Sequence, residues 1–248
     1  MGDLTGLCQL YDRKMNEHAG HEIVPMAATD VGPLDLDDYR NLYEQKLLNK
    51  GLRARTVYDD ILSAGLLRGC CYCSYGDATE LDHLLPHSHY AEYVIYPKNL
   101  VPSCHRCNYI KDAFVPLTQP DNLIHPYFED YSEYQWLASE VIFLRGWPNV
   151  RYWVRFDDFE NATIPARIEH QFNMLELPVR YGTQAAKEIN TRRVGTFRSV
   201  FRAGGRDGLV AWLANEHQDQ FRANRNSWMT LAYRAFLESP QFCDFGWA

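Results

Sequence analysis

The residues best equipped for chemistry lie between positions 70 and 108. Cys70 and Cys73 form one Cys-x-x-Cys pair in GCCYCS, and Cys104 and Cys107 form a second in SCHRCN. This spacing lets one tight turn present two thiolates to a single ion, and zinc takes four such ligands in a tetrahedron. The two pairs predict one structural zinc per chain, held by Cys70, Cys73, Cys104 and Cys107. Cys71, between the first pair, is expected to point away. Thirty residues (74–103) separate the pairs, more than the roughly 15–20 of simple four-cysteine modules, so something is inserted between the two knuckles. The insertion carries Asp82-His83 and Asn99, and Asn108 directly follows Cys107. Four thiols packing as small hydrophobes is the competing reading, and their grouping into two Cys-x-x-Cys units argues against it.

Taken in order, CCYC, LDHLLP and NLVPSCHRCNYIKD resemble the HNH endonucleases, in the variant whose third motif residue is Asn. The match spans about residues 69–112. The resemblance implies a two-stranded hairpin, an Ω-like loop and a helix (a ββα-metal module), with one divalent metal at the hairpin–helix junction and a zinc tying the ends. His83 matches the general base that activates water against a phosphodiester. Asp82 matches the carboxylate that ligates the catalytic metal, and Asn108 the helix residue supplying a second ligand. Asn99 matches the loop asparagine, expected to fix the loop and orient His83. Cleavage leaving a 5′-phosphate is implied as well.

The chemistry is coherent from the residues up. An unperturbed imidazole titrates near ~6.5, suited to proton abstraction at neutral pH. One anionic and one neutral oxygen ligand, with places left for water and phosphate, suit Mg²⁺ or Mn²⁺. Adjacent residues on a regular strand point to opposite faces, so Asp82 and His83 can serve one site only where the strand ends or distorts. Pro86 makes an early end plausible. His105 and Lys111 are candidate phosphate contacts, each weighed against an exposed, solvated side chain. His87 and His89 read as loop surface, and His125 as packing at the module's edge.

Bulk properties frame this site. A chain of 248 residues with 14% aromatics is long enough to bury a core. No apolar run approaches the roughly 20 residues of a membrane span. The N-terminus lacks the pattern of a secretory signal, and Gly6 stands where a myristoylation signal wants Ser or Thr. These features predict a soluble, cytoplasmic protein without a membrane partner. Five of the seven cysteines fall between Cys70 and Cys107, a distribution that suggests metal binding rather than a disulfide framework. The net charge of −7 counts against a generic nucleic-acid coat without excluding a local basic groove. Such a groove is suggested between Arg180 and Arg206, where seven Lys or Arg accompany one acid, Glu188. Arg198, Arg202 and Arg206 would share a face of a continuous helix and could grip a phosphate backbone. An ordinary solvated helix face explains them equally well, and AGG at 203–205 could break the alignment.

The elements around the motif are read as follows. Residues 1–34 are expected to be irregular, with VGPLD a loop. Asp35 is expected to cap a helix ending at Gly51, and Thr56 a second over VYDDILSAGLL. Brief strands are expected at TELDHLL and around Val101, and a helix opens at HRCNYIKD. A strand pair should flank RGWPN, and helices follow from Ile164. The fold class is therefore α+β, a small ββα-metal module with structural zinc embedded in a mainly helical protein. Its regions are 1–68 (helical), 69–125 (nuclease module) and 126–248 (mainly helical with a short strand pair).

The function expected from this reading is a metal-dependent HNH endonuclease acting on DNA. Its long flanks resemble HNH proteins of bacterial anti-phage defence, such as the nuclease partner of Septu-like ATPases. That resemblance implies a regulatory ATPase or other defence subunit as partner. Two alternatives stay open: a zinc-stapled nucleic-acid- or protein-binding module without catalysis, and an endonuclease acting on RNA such as tRNA.

Overall fold

The computed structural model describes residues 4–25 and 36–247. The chain packs as two units, one formed by Met1–Asp130 with Ala166–Leu175, the other by Tyr131–Pro165 with Glu176–Ala248. The mixture of helices with two small antiparallel sheets is an α+β fold. The segments 1–68 and 69–125 share the first unit.

That unit begins with a helix, α1 (Leu4–Asn16), where irregular chain was expected. Its Tyr11 and Met15, one turn apart, are both buried, which is the spacing that anchors a helix by one stripe. The stretch VGPLD and the proposed cap Asp35 lie outside the described residues. Helix α2 (Leu36–Asn41) continues into a wider π turn at Leu42–Leu47. Helix α3 (Arg55–Arg68) starts one residue before Thr56. The Thr56 hydroxyl donates to the Arg53 carbonyl, and Thr56 is not the cap. Backbone turns from Leu52 to Val57 already start the helix.

Strands β1 (Glu80–His83) and β2 (Leu100–Ser103) pair antiparallel, with Asp82 opposite Val101 and His83 opposite Leu100. Leu81 and Leu100 pack with Leu47 and Tyr58 in one apolar cluster, joined by Tyr43, Ile61 and Leu62. The alternation of a strand then turns Glu80 and Asp82 to the opposite face. Helix α4 (His105–Lys111) follows at once and meets that second face through side-chain bonds to Glu80 and Asp82. Gly65 allows α3 to lie against β2, because a Cβ there would stand 2.2 Å from Cβ of Pro102.

The second unit opens with a hairpin, β3 (Leu137–Leu144) and β4 (Trp147–Val154). Its two-residue turn is Arg145-Gly146, both at positive φ (52° and 85°), as a type I′ turn requires. Trp147, Pro148 and Asn149, assigned to the turn from sequence, belong to the strand. Helices follow as expected from Ile164 on: α5 (Thr163–Met174), most of which belongs to the first unit, and then α6 (Leu177–Arg192), α7 (Arg198–Ala223), α8 (Trp228–Glu238) and α9 (Pro240–Cys243) in the second. Phe197, Phe236 and Phe242 are fully buried at the centre of this unit. Serines cap the last two helices, Ser227 accepting from the Thr230 amide and Ser239 from the Phe242 amide; such caps contribute about 1 kcal/mol each.

Candidate functional site

Four thiols come together where β2 runs into α4. The Sγ atoms of Cys70, Cys73, Cys104 and Cys107 all lie within 4.8 Å of one another, and all four residues are buried. A tetrahedral zinc–thiolate shell with bonds of about 2.3 Å has sulfur–sulfur edges of roughly 3.8 Å; Cys73 Sγ and Cys104 Sγ stand 3.9 Å apart. Gly76 closes over them, and a Cβ there would meet Cys104 Sγ at 3.0 Å and Cys73 Sγ at 3.3 Å. Its amide donates to Cys73 Sγ at 3.4 Å, a contact that favours thiolate. Hydrogen bonding between Cys107 and Cys104 lowers the Cys104 thiol and raises that of Cys107. So crowded a set can ionise together only around a cation. The donor set and spacing fit a zinc ion. Cys71 lies outside the cluster, its amide bonded to the Pro102 carbonyl and its thiol pushed up by burial.

Beside this cluster an open cleft is lined by Glu80, Asp82, His83, His87, His105 and Asn108, with Tyr43 and Tyr109 on its walls. Asp82 and His83 project from opposite faces of β1, yet both reach the cleft because the strand stops at His83. His83 is buried. Its Nε2 lies 2.8 Å from the Val94 carbonyl oxygen, so Nε2 carries the proton and Nδ1 keeps its lone pair. Burial lowers its pKa to about 3, which keeps the ring neutral. Tyr43 packs edge-on against it at 4.7 Å, and the His87 ring lies 5.1 Å away. His87 sits on an exposed turn, as the sequence suggested, and also lines the cleft.

Asp82 is buried too. It accepts from the Tyr72 hydroxyl at 2.6 Å and pairs with Lys111 Nζ at 3.0 Å. Desolvation raises its pKa, while Lys111 and Tyr72 pull it back down. Lys111 also donates to the His83 carbonyl at 2.8 Å. It is 2% exposed, so the expectation that it meets a phosphate is corrected. A lysine three residues after Asn108 on α4 shares its face and is drawn inward by Asp82. Asn108 donates through Nδ2 to Glu80 at 2.9 Å. His105 stays exposed at the rim, 3.5 Å from the same carboxylate.

Asn99 is fully buried and does not line the cleft. Its amide holds the far end of the 84–99 loop, donating to the carbonyls of Leu85 and Tyr93 and accepting from the Leu85 amide at 2.8 Å. Arg198 and Arg202 lie in the second unit on α7. Gly205 leaves the helical region (φ 61°, ψ −152°), which takes Arg206 out of line with them; Arg206 pairs instead with Asp244. Glu80 and Tyr72 escaped the sequence reading. Glu80 was discoverable, since it stands two residues before Asp82 on a strand and so shares its face.

The fold and site define an α+β protein whose four buried cysteines can hold a zinc ion beside an acidic, histidine-bearing cleft. No family model matches the chain, and no solved structure matches it. Among curated proteins it is similar to protein ea31 of Escherichia phage lambda, 32% identical over 254 residues that cover 96% of this chain and 82% of that protein. The chain belongs to the ea31 family.

Proposed function

We propose that this protein is a metal-dependent endonuclease of the HNH type that hydrolyses phosphodiester bonds in DNA. One observation carries the reading: a neutral imidazole with a free Nδ1, two carboxylates and an amide reach a single cleft against a four-cysteine cluster. Zinc fits the thiols. An all-oxygen set of Asp82, Glu80 and Asn108 has the hardness that Mg²⁺ or Mn²⁺ prefers. When bound there, such an ion would neutralise charge on the phosphate and the leaving oxygen.

The residues themselves divide the remaining work. His83 Nδ1 takes a proton from water as that water's oxygen bonds to phosphorus, and the bond from phosphorus to the 3′ oxygen breaks. The 3′ oxygen leaves with a proton from solvent, giving a 3′-hydroxyl and a 5′-phosphate. An imidazole lowered to about 3 is a weak base alone. A phosphodiester's negative charge beside it would raise its basicity when substrate binds. Asn99 holds the loop whose Val94 carbonyl fixes the His83 tautomer.

The test is cleavage of plasmid DNA and of total RNA with Mg²⁺, Mn²⁺ or EDTA, comparing wild type with His83→Ala. Metal-dependent cutting, reduced at least about a hundredfold by the substitution, is expected. Wild-type chain that binds either polymer and cuts neither with any metal would sink the catalytic reading. A binding module without catalysis is the second reading, favoured by the ammonium of Lys111 already paired with Asp82. RNA cleavage without DNA cleavage would move the substrate class and keep the chemistry. The defence setting with an ATPase partner rests on the resemblance of the long flanks to those of anti-phage HNH proteins.

A further inference from the structure

Helix α1 buries one side chain against Asn99 and His125. Tyr11 is 0% exposed, and its hydroxyl lies 3.1 Å from Asn99 Oδ1 and 3.1 Å from His125 Nε2. The direction of these bonds follows from their neighbours. The Tyr127 amide points at His125 Nδ1 at 3.2 Å, so Nδ1 is the acceptor and Nε2 bears the proton. His125 then donates to the Tyr11 oxygen, and Tyr11 donates to Asn99 Oδ1, with the Lys98 carbonyl a longer second acceptor at 3.4 Å. Asn99 Oδ1 also receives the Leu85 amide at 2.8 Å, while Nδ2 serves the Leu85 and Tyr93 carbonyls. Every donor and acceptor of that buried amide is engaged. The residue after Tyr93 is Val94, whose carbonyl sets the tautomer of His83 at 2.8 Å.

We infer that Tyr11 and His125 are positioning residues for His83, acting through a directed hydrogen-bond chain from His125 to Tyr11 to Asn99 and the loop carrying the Val94 carbonyl. His125 itself is held from the far side, its amide donating to Glu129 at 2.9 Å, and Glu129 is gripped by Arg167. Neither Tyr11 nor His125 belongs to the cysteine cluster or lines the cleft, so each acts only through what it holds. Tyr11 also packs at 5.1 Å from the Tyr93 ring and 5.2 Å from that of Tyr96, contacts a phenylalanine would keep. A change to Phe thus removes the hydroxyl link and leaves the packing.

The catalytic consequence rests on the nuclease reading; the hydrogen-bond chain does not, and the experiment separates them. The His83 ring tautomer is read by nitrogen NMR of the zinc-loaded full chain, and kcat and KM on plasmid DNA are read in parallel, for wild type, Tyr11→Phe, His125→Gln and His125→Leu. Tyr11→Phe is expected to populate the second His83 tautomer and lower kcat about tenfold, the equivalent of one modest hydrogen bond, with KM within about twofold. His125→Gln, whose amide can still donate to Tyr11, should retain more of both signals than His125→Leu. Unchanged tautomer and kcat in Tyr11→Phe overturn the inference, whether or not wild type cuts. A changed tautomer in a chain that never cuts keeps the positioning role and removes the nuclease. Should Tyr11→Phe fail to fold, the His125 pair decides by the same two readouts, equal behaviour of Gln and Leu overturning the chain.

Discussion

Asp82 is where opposing electrostatic effects meet most closely. Taking a carboxylate out of water is costly, and at this position the cost is offset by an ammonium at 3.0 Å and a phenol at 2.6 Å. Removing one partner of such a pair leaves the other charge uncompensated and typically costs about 3–5 kcal/mol. Lys111→Met, which keeps much of the stem's volume, should therefore lower stability by about 3 kcal/mol, measured by urea denaturation. A loss under about 1 kcal/mol would show that Asp82 is not charged in the folded chain. His125 sets a pH dependence of its own. Burial lowers its pKa from the usual 6.5 to about 4, so between those values the unfolded chain binds the extra proton. Stability from this group is complete above about pH 6.5 and is lost as pH falls toward 4, by about 3 kcal/mol in all. His125→Gln cannot titrate, so the wild-type minus variant stability should shrink across that window. A difference that stays flat from pH 7 to 4 would contradict the neutral, buried imidazole.

At the scale of elements, α3 and β2 depend on what one glycine leaves out. Alanine at Gly65 would gain up to about 1 kcal/mol of helix propensity. It would also press a methyl into Pro102 at 2.2 Å, and such overpacking costs about 1–3 kcal/mol or more. The clash should win, and Gly65→Ala should lower the midpoint of thermal unfolding. Gly204→Ala on α7, where nothing lies within 4 Å of the added Cβ, should raise it or leave it unchanged. The same contrast explains what could be read from sequence. The strands at Glu80–His83 and Leu100–Ser103 and the helix after Cys104 were legible because their signals are local: alternation, Cys spacing, a turn before a helix. Helix α1 was not, since it has no acidic residue in its first turn, and its buried stripe gains meaning only against distant residues, Asn99 and His125, which lie 88 and 114 positions from Tyr11. Lys111 was misread for a related reason. Sequence gives a lysine's charge but not the buried carboxylate 29 positions away that claims it.

Across the whole molecule, each unit has its own buried centre and its own optical reporters. All six tryptophans fall at or after position 136 and outside 166–175, so each belongs to the second unit. The cysteine cluster belongs wholly to the first. Zinc affinity at a four-thiolate site is in large part folding energy, because the unfolded chain has no preformed site. In the first unit the ion would tie the Cys70–Cys73 turn to the base of α4, and through α4 hold Asn108 against Glu80 and Lys111 against Asp82. Stripping zinc with a strong chelator, or replacing Cys104 by Ser, should therefore lose helical circular dichroism and expose tyrosines, while tryptophan emission stays at its native wavelength. Purified chain should carry close to one zinc before treatment. Metal-free protein with an unchanged urea midpoint and full dichroism would mean that the four thiols pack without an ion, and the cleft beside them would lose the staple proposed to hold it.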